Sequence, residues 1–549
     1  MSRFHTRSIR VSFGWRTSVK SMLLLLLVSG CIMSTGCAYT GSFQNYVHNG
    51  FKVGPNYRKP AAPVAHEWID SYDDRVLSEL SDTPEWWTVF DDPILTQLVQ
   101  NAYQENLPLR VAGLRVLQAQ AQRGIAVGSF FPQQQELTAS FSRTTLSKEV
   151  APGNIPFSPR AETVWGNHGR MAWEIDLWGK FRRNIESADA SLQADIENYD
   201  EILVCLLADT ATAYVQYRVL QKQLEYARQN VEIQEGSLAI AEARQRAGGD
   251  SELDVTQAKT NLSNTRRLIP VFENRLRIAN NALCTLQGIP PVDLSEQLGD
   301  GAIPVSPKTV AVGIPANLLR RRPDVLRAER LVAAQSARIG VAAADWFPAV
   351  TIAGSLGYAG NDLDRLFTQP AFTGFIQPQL NWPVLNYGRI LNNVRVQDAL
   401  FQQAAVTYQQ TVLSANTEAE NAINSFLKSQ EALVEAEAAV AASKRSVELA
   451  LIQYKNGATD FNRVFNLQLA LVQDQNTLAT SQGEIPSSLI ALYKALGGGW
   501  QIRLGNQVSG GVVSEEVATP KPEDGEEPEA AKPEAAEPEP LILPPAPAE

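Results

Sequence analysis

Residues 129–143 read SFFPQQQELTASFSR, and residues 345–359 read DWFPAVTIAGSLGYA. In both, an aromatic pair and a proline precede a short run in which apolar and polar residues alternate. Phe131-Pro132 and Phe347-Pro348 lie 216 positions apart, and the echo extends outward from them. At the same offset Ala112, Ala121, Gly124 and Ala126 match Ala328, Ala337, Gly340 and Ala342. Further on, Trp178-Gly179-Lys180 returns as Tyr387-Gly388-Arg389, and Arg246-Ala247-Gly248 as Lys455-Asn456-Gly457, both at an offset of 209. The difference falls between the alternating stretches, where a loop can be shortened. The chain is an internal duplication, and each half reads helix, strand, loop, strand, long helix, turn, helix. Two copies are fewer than a solenoid needs, so closure has to come from elsewhere.

Four strands are expected, over about 133–143, 167–178, 349–359 and 373–383. Leu137, Ala139 and Phe141 alternate with Thr138, Ser140 and Ser142; Met171, Trp173, Ile175 and Leu177 alternate with Arg170, Ala172, Glu174 and Asp176. Val350, Ile352, Leu356 and Tyr358 do the same in the third, and Ile376, Pro378, Leu380 and Trp382 in the fourth. Period two with one apolar face marks a half-buried strand. A membrane barrel has this pattern, and so does a soluble antiparallel sheet.

The helices separate these readings. From Ile185 an apolar stripe runs through Ala188, Leu192, Ile196, Tyr199, Leu203 and Leu206, then Ala213, Tyr217, Leu220, Leu224, Ala227 and Val231, in steps of three or four except across Thr210. That is close to a sustained heptad. Long helices are expected over about 181–246 and 390–455, each on the order of 100 Å long at 1.5 Å per residue. Globular core helices average about a dozen residues. Two matched hairpins of this length build a coiled-coil tube or stalk. Four strands cannot close a barrel, since small barrels begin at about eight, and open edges in lipid leave backbone groups unpaired. If the strands enter a membrane, several chains must pool them, and three chains supply twelve.

Charge is placed unevenly along the 549 residues. The first thirty hold Arg3, Arg7, Arg10, Arg16 and Lys20 with no acidic residue, and within them the apolar run from Met22 to Val28 follows Lys20. That run is too short to span a bilayer and suits a secretory signal. Small residues precede Cys31 and again Cys37, and both stretches resemble a bacterial lipobox; the alternative is a pair of ordinary cysteines beside a cleaved signal. Cys205 and Cys284 are read as buried thiols rather than a disulfide. From Ser514 onward eleven acidic residues face only Lys521 and Lys532, in a Pro/Glu/Ala-rich tail whose composition predicts disorder. No basic stripe suited to phosphates is present, which sets nucleic acid aside. With four histidines, His5, His48, His66 and His168, no paired metal-ligand spacing, no phosphate-binding glycine loop and no nucleophile elbow, an enzyme is not indicated and no cofactor is expected.

Further stretches carry a resemblance: Val53-Gly54-Pro55-Asn56-Tyr57, Trp86-Trp87 with Phe90-Asp91-Asp92-Pro93, Trp173-Glu174-Ile175-Asp176-Leu177-Trp178-Gly179, Arg321-Arg322-Pro323-Asp324, and LYKALGGGW ending at Trp500. In this order the chain resembles the TolC-like outer membrane efflux proteins, in the lipoprotein, NodT-type branch that serves resistance-nodulation-division (RND) pumps. The resemblance implies an α+β membrane protein: a homotrimer with a twelve-stranded outer-membrane barrel, continued by a helical coiled-coil tunnel across the periplasm. It implies a passive exit duct for small molecules such as drugs, toxic compounds or metals. The duct is fed by an inner-membrane RND-type pump through a periplasmic adaptor, and outer membrane lipid surrounds it. The segments expected are 1–36 as signal and lipobox, 37–95 as an equatorial segment, 96–300 and 315–500 as the two repeats, and 513–549 as the tail. A type I protein secretion duct and a non-conducting coiled-coil lipoprotein remain the alternatives.

On this resemblance the turns at Gly248 and Gly457 form the periplasmic tip. Arg246, Gly248, Gly249, Ser251, Lys455, Asn456 and Gly457 would meet the adaptor, and Cys31 or Cys37 would carry lipid. Asp250, Glu252, Asp254 and Asp460, tripled in a trimer, would ring the pore and favour cations. For Asp250 and Ser251 the competing reading is capping of the next helix, expected to resume at Asp254. The gate positions correspond to Asn462, Asn466 and Leu469, which lack the charge often found there. Arg320, Arg321 and Arg322 with Asp324 read as ion pairs at a helix start, and Trp86-Trp87 as equatorial packing.

Overall fold

A computed structural model of the chain describes residues 43–79, 84–145 and 161–508. The signal, both lipobox cysteines and the tail from 513 lie outside the described residues. Leu504 onward belongs to a separate unit, of which only the turn through Val508 is described.

The first half runs α1 (Pro93–Glu105), α2 (Leu107–Gly128), β1 (Gln134–Thr145), β2 (Ala161–Ile175), α3 (Lys180–Arg246) and α4 (Glu252–Leu286). The second runs α5 (Pro323–Ala344), β3 (Ala349–Gly360), β4 (Phe372–Asn381), α6 (Arg389–Lys455) and α7 (Phe461–Ala495). Helices α3 and α6 have 67 residues each, and α4 and α7 have 35 each. Each long helix starts from a left-handed glycine, Gly179 at φ 78° and Gly388 at φ 81°, a conformation L side chains rarely adopt.

Three boundaries differ from expectation for reasons the hydrogen bonds show. Strand β2 begins at Ala161, because the ladder with β1 continues to the pair Thr145 and Ala161. It ends at Ile175, because the Asp176 carboxylate accepts from the amides of Phe181 and Arg182, both at 3.1 Å, and so starts α3. Helix α4 begins two residues before Asp254, since Ser251 caps it. Cys205 is half-buried, Cys284 is buried, and both are free thiols.

The four long strands form one antiparallel sheet in the order β1-β2-β3-β4. Its register carries the sequence alternation across every pairing. Leu137 opposes Gly169, Gly169 opposes Leu356 and Leu356 opposes Gly374, while Met171 opposes Gly354 and Gly354 opposes Ile376. Successive residues of a strand point to opposite faces. One face therefore carries Phe141, Trp165, Met171, Leu356, Ile376 and Leu380, and the other carries Glu136, Thr138, His168, Arg170, Gln377 and Gln379. Leu137, Leu356, Ile376 and Leu380 are 65–80% exposed in the single chain. No helix among the described residues is long and apolar enough to cross a membrane.

The repeated aromatic-proline signature sits where helix becomes sheet. Trp173 Nε1 donates to the Phe130 carbonyl at 3.2 Å, Trp178 Nε1 to that of Pro348 at 2.8 Å, and Trp382 Nε1 to that of Trp346 at 3.0 Å. Phe347 stacks on Trp178 with ring centres 4.5 Å apart. Proline denies each helix its next backbone donor, and the indole bonds seat the strand that follows.

The VGPNY stretch is a strap across α3 and α5. Val53 donates to the Trp178 carbonyl at 3.0 Å. Arg183, buried in α3, donates to the carbonyls of Val53 and Gly54 and to Asn56 Oδ1 at 3.0–3.2 Å. Gly54, at φ 84°, crosses Gly340 so closely that a Cβ on it would lie 2.5 Å from the Gly340 Cα. Gly54→Ala is expected to unseat the strap. Limited proteolysis should then cut within residues 49–60 at least several times faster than in wild type.

The core lies at mid-height. Trp86 and Trp87 are fully buried among Leu95 and Leu98 of α1, Leu207 of α3 and Leu489 of α7, and Trp86 stacks on Tyr493 at 5.4 Å. Asp92 caps α1 through the amides of Ile94 and Leu95 and also accepts from the Tyr214 hydroxyl at 2.6 Å. Arg322 precedes α5 and pairs with Asp324 and Glu418 at 2.8 and 2.7 Å.

Candidate functional site

The two hairpin turns close in the same way. Gly248 at φ 77° and Gly457 at φ 76° end α3 and α6. Gly249 donates to the Arg244 carbonyl and Ala458 to that of Gln453, at 2.9 and 2.8 Å. Nothing lies within 4 Å of a Cβ built on Gly248, so backbone conformation rather than space selects glycine there. Arg246, Gly248, Gly249, Ser251, Lys455, Asn456 and Gly457 are all exposed at this end.

The four acidic candidates do different things. Ser251 and Asp254 form a reciprocal capping box at the start of α4. Asp460 caps α7 by accepting from the Arg463 amide at 3.3 Å. Glu252 is exposed. Asp250 caps nothing: its carboxylate, 7% exposed, takes the Arg244 Nε at 3.0 Å and the Tyr454 hydroxyl. Asn462 and Asn466 are exposed one turn apart on α7, with Asn466 Nδ2 donating to Asn462 Oδ1 at 3.3 Å, and Leu469 lies a turn further along the same face.

Arg244 and Tyr454 escape sequence reasoning, and they organise the tip. Arg244 Nη1 donates to the Tyr454 carbonyl at 2.8 Å, and its guanidinium lies 5.0 Å above the Tyr454 ring. Burial and the neighbouring Asp250 push the Tyr454 hydroxyl well above its ordinary range, so it remains a neutral donor. Beneath it Tyr454, Phe461, Val464, Val255, Ala258 and Ala241 form a small apolar core. The first hairpin is thereby tied to the second across 210 residues of chain. Heptad spacing puts Tyr454 on the buried side, but nothing local marks the carboxylate it reaches.

Comparison with known proteins follows this geometry. The family model described as "Outer membrane efflux protein" matches residues 98–288 and 314–498. Nodulation protein T of Rhizobium leguminosarum bv. trifolii is 29% identical over 467 residues, covering 84% of this chain and 97% of that protein. The pyoverdine export outer membrane protein OpmQ of Pseudomonas putida is 31% identical over 417 residues, covering 76% and 88%. The solved structure of the outer-membrane channel OprN superposes with a TM-score of 0.76 at 31% identity, covering 82% of this chain and 99% of that one.

Proposed function

The chain belongs to the outer membrane efflux protein family, and from that premise we propose that three copies close a twelve-stranded barrel and continue it below as a helical tunnel. The protein is the outer-membrane channel of an efflux system. The carrying observation is the sheet: one predominantly apolar face extends across four strands, while β1 and β4 have no outer neighbour among the described residues. Unpaired edges in hydrocarbon cost several kcal/mol per group, and pairing β1 of one copy with β4 of the next removes them. The apolar face then meets lipid, and Glu136, Arg170 and His168 face the water-filled exit.

In this arrangement the tip is the periplasmic gate. Arg246, Lys455 and the exposed glycine turns offer a surface to a periplasmic adaptor, which passes small-molecule cargo from an inner-membrane RND-type pump. The Arg244–Asp250–Tyr454 link holds the resting, closed arrangement. Glu252, Asp254 and Asp460, in three copies around the axis, favour cations at the constriction.

The barrel is tested by paired substitutions. Met171→Arg and Ile376→Arg put a charge on the lipid face and should each cost about 2–4 kcal/mol near the bilayer midplane. Gln377→Arg, on the opposite face, should assemble like wild type. Folded, detergent-resistant oligomer recovered from outer membranes is the readout, and equal yields for all three would refute the assignment of faces.

A further inference from the structure

The apolar interior of the helical hairpins is broken at one level. The mid-height core ends on α3 at Ala227 and on α4 at Phe272, and the tip core begins at Ala241 and Ala258. Between them, over about 20 Å of helix, polar side chains occupy every buried position of α3, and on the facing helices they alternate with the apolar Leu262 of α4, Val447 of α6 and Leu471 of α7. Asn230, Gln234 and Ser237 on α3 are 2–3% exposed, Asn261 on α4 is 0% exposed, and Gln468 on α7 is 2% exposed. Spacings of three and four place them on the inward stripe where leucine or alanine would continue the heptad.

Some of these groups satisfy one another. Gln468 donates to the Ser237 hydroxyl at 2.7 Å, Asn261 donates to Gln468 at 2.9 Å, and Asn230 donates to Gln475. Others have no protein partner: both side-chain polar atoms of Gln234 and the Oδ1 of Asn261. A buried amide with no partner costs free energy unless water reaches it. Gln234 is shielded within one chain, so a neighbouring copy cannot supply the missing bonds. Helix α4 is weakened at the same level, since Pro270 leaves the Arg266 carbonyl without its usual helical donor.

We propose that this polar belt is a hydrated hinge, at which water enters the core and about which the tip bends as a unit relative to the body. A dry heptad resists bending because its side chains interlock, whereas a layer of amides and water exchanges partners at little cost. The tip core and the Arg244–Asp250–Tyr454 link lie wholly beyond the belt, so they move together. The gating consequence rests on the tip being the gate; the hinge itself does not.

Hydrogen–deuterium exchange on the full-length protein in detergent tests it. Residues 228–240 and 468–478 should exchange at least tenfold faster than α3 above Ala227 and also than the tip core around Tyr454. Protection that changes smoothly from body to tip would overturn the hinge. In Gln234→Leu/Asn261→Leu the minimum should disappear, and the milder Gln234→Leu should raise or preserve the unfolding midpoint. A lowered midpoint for Gln234→Leu would show that Gln234 is already satisfied within the protein, and would also overturn the proposal. In a background where Asp250→Asn and Tyr454→Phe open the pore, the dried belt should cut openings at least tenfold. If that background never conducts while the exchange minimum is present, the gate reading fails and the hinge stands.

Discussion

The double variant Asp250→Asn/Tyr454→Phe conducts for roughly ten to a hundred times more of the recording than wild type in planar bilayers. Wild-type Asp250 takes a guanidinium and a phenol at once, while 7% exposed. Hydrogen bonds to a charged group contribute about 1.5–3 kcal/mol net, and each 1.4 kcal/mol is tenfold in an equilibrium. The Tyr454 bond joins the turn after α3 to the end of α6, while the Arg244 bond, within the first hairpin, holds the Asp250 carboxylate in place for it, so an arrangement that parts the hairpins must break the Tyr454 bond. Removing it costs the closed state and leaves the open one unaffected. Arg228→Gln is the matched control: it breaks only the exposed α3–α4 pair with Glu273, a class of contact contributing at most about 1 kcal/mol. Unchanged conductance in the double variant would remove the link from the gate.

Replacing Arg218 by Met destabilises the protein by about 3–5 kcal/mol. Arg218 is 1% exposed in the mid-height core. It donates to the Tyr214 hydroxyl at 3.0 Å, to Gln221 Oε1 at 2.8 Å and to the carbonyls of Leu298 and Gly299 at 2.7 Å. Tyr214 passes the contact on to Asp92 at the cap of α1. Methionine restores the volume but leaves the buried Leu298 carbonyl without a donor, and the Gly299 carbonyl with Gln221 Nε2 alone, in the segment that joins the two halves. A Cβ on Gly301 would lie 2.8 Å from the guanidinium carbon, so the linker is moulded around the charge. Thermal unfolding should show the loss as a lower midpoint, with Lys222→Met, one turn along at the surface, near wild type. An equal effect for both would mean that Arg218 contributes no more than a surface cation.

Legibility in the sequence followed the range of the interactions. The heptad steps from Ile185 and the absence of proline across 179–269 announce a long helix, because helix formation depends on neighbours three and four residues away. The alternation in 136–142 and 170–177 announces strands for the same reason, at period two. The end of β2 was less legible, since apolar Leu177 continues the alternation while the Asp176 carboxylate, reaching forward to Phe181, stops it. At the tip the glycine turns were legible from composition. The role of Asp250 was not, because capping and pairing use the same side chain and only its distance to Tyr454 separates them.

By itself the sequence determined the duplication, the matched hairpins, the apolar stripe of each strand and the glycines that turn the chain. All of these are set by side-chain periodicity and local backbone preference. Only the tertiary structure decided the register that joins four alternating strands into one apolar face, the crossing of Gly54 over Gly340, and the partners of Arg218, Asp250 and Gln234. Those depend on which groups meet across tens to hundreds of residues once apolar surface is buried, and a buried polar atom gains or loses its stabilisation by the neighbour it finds there.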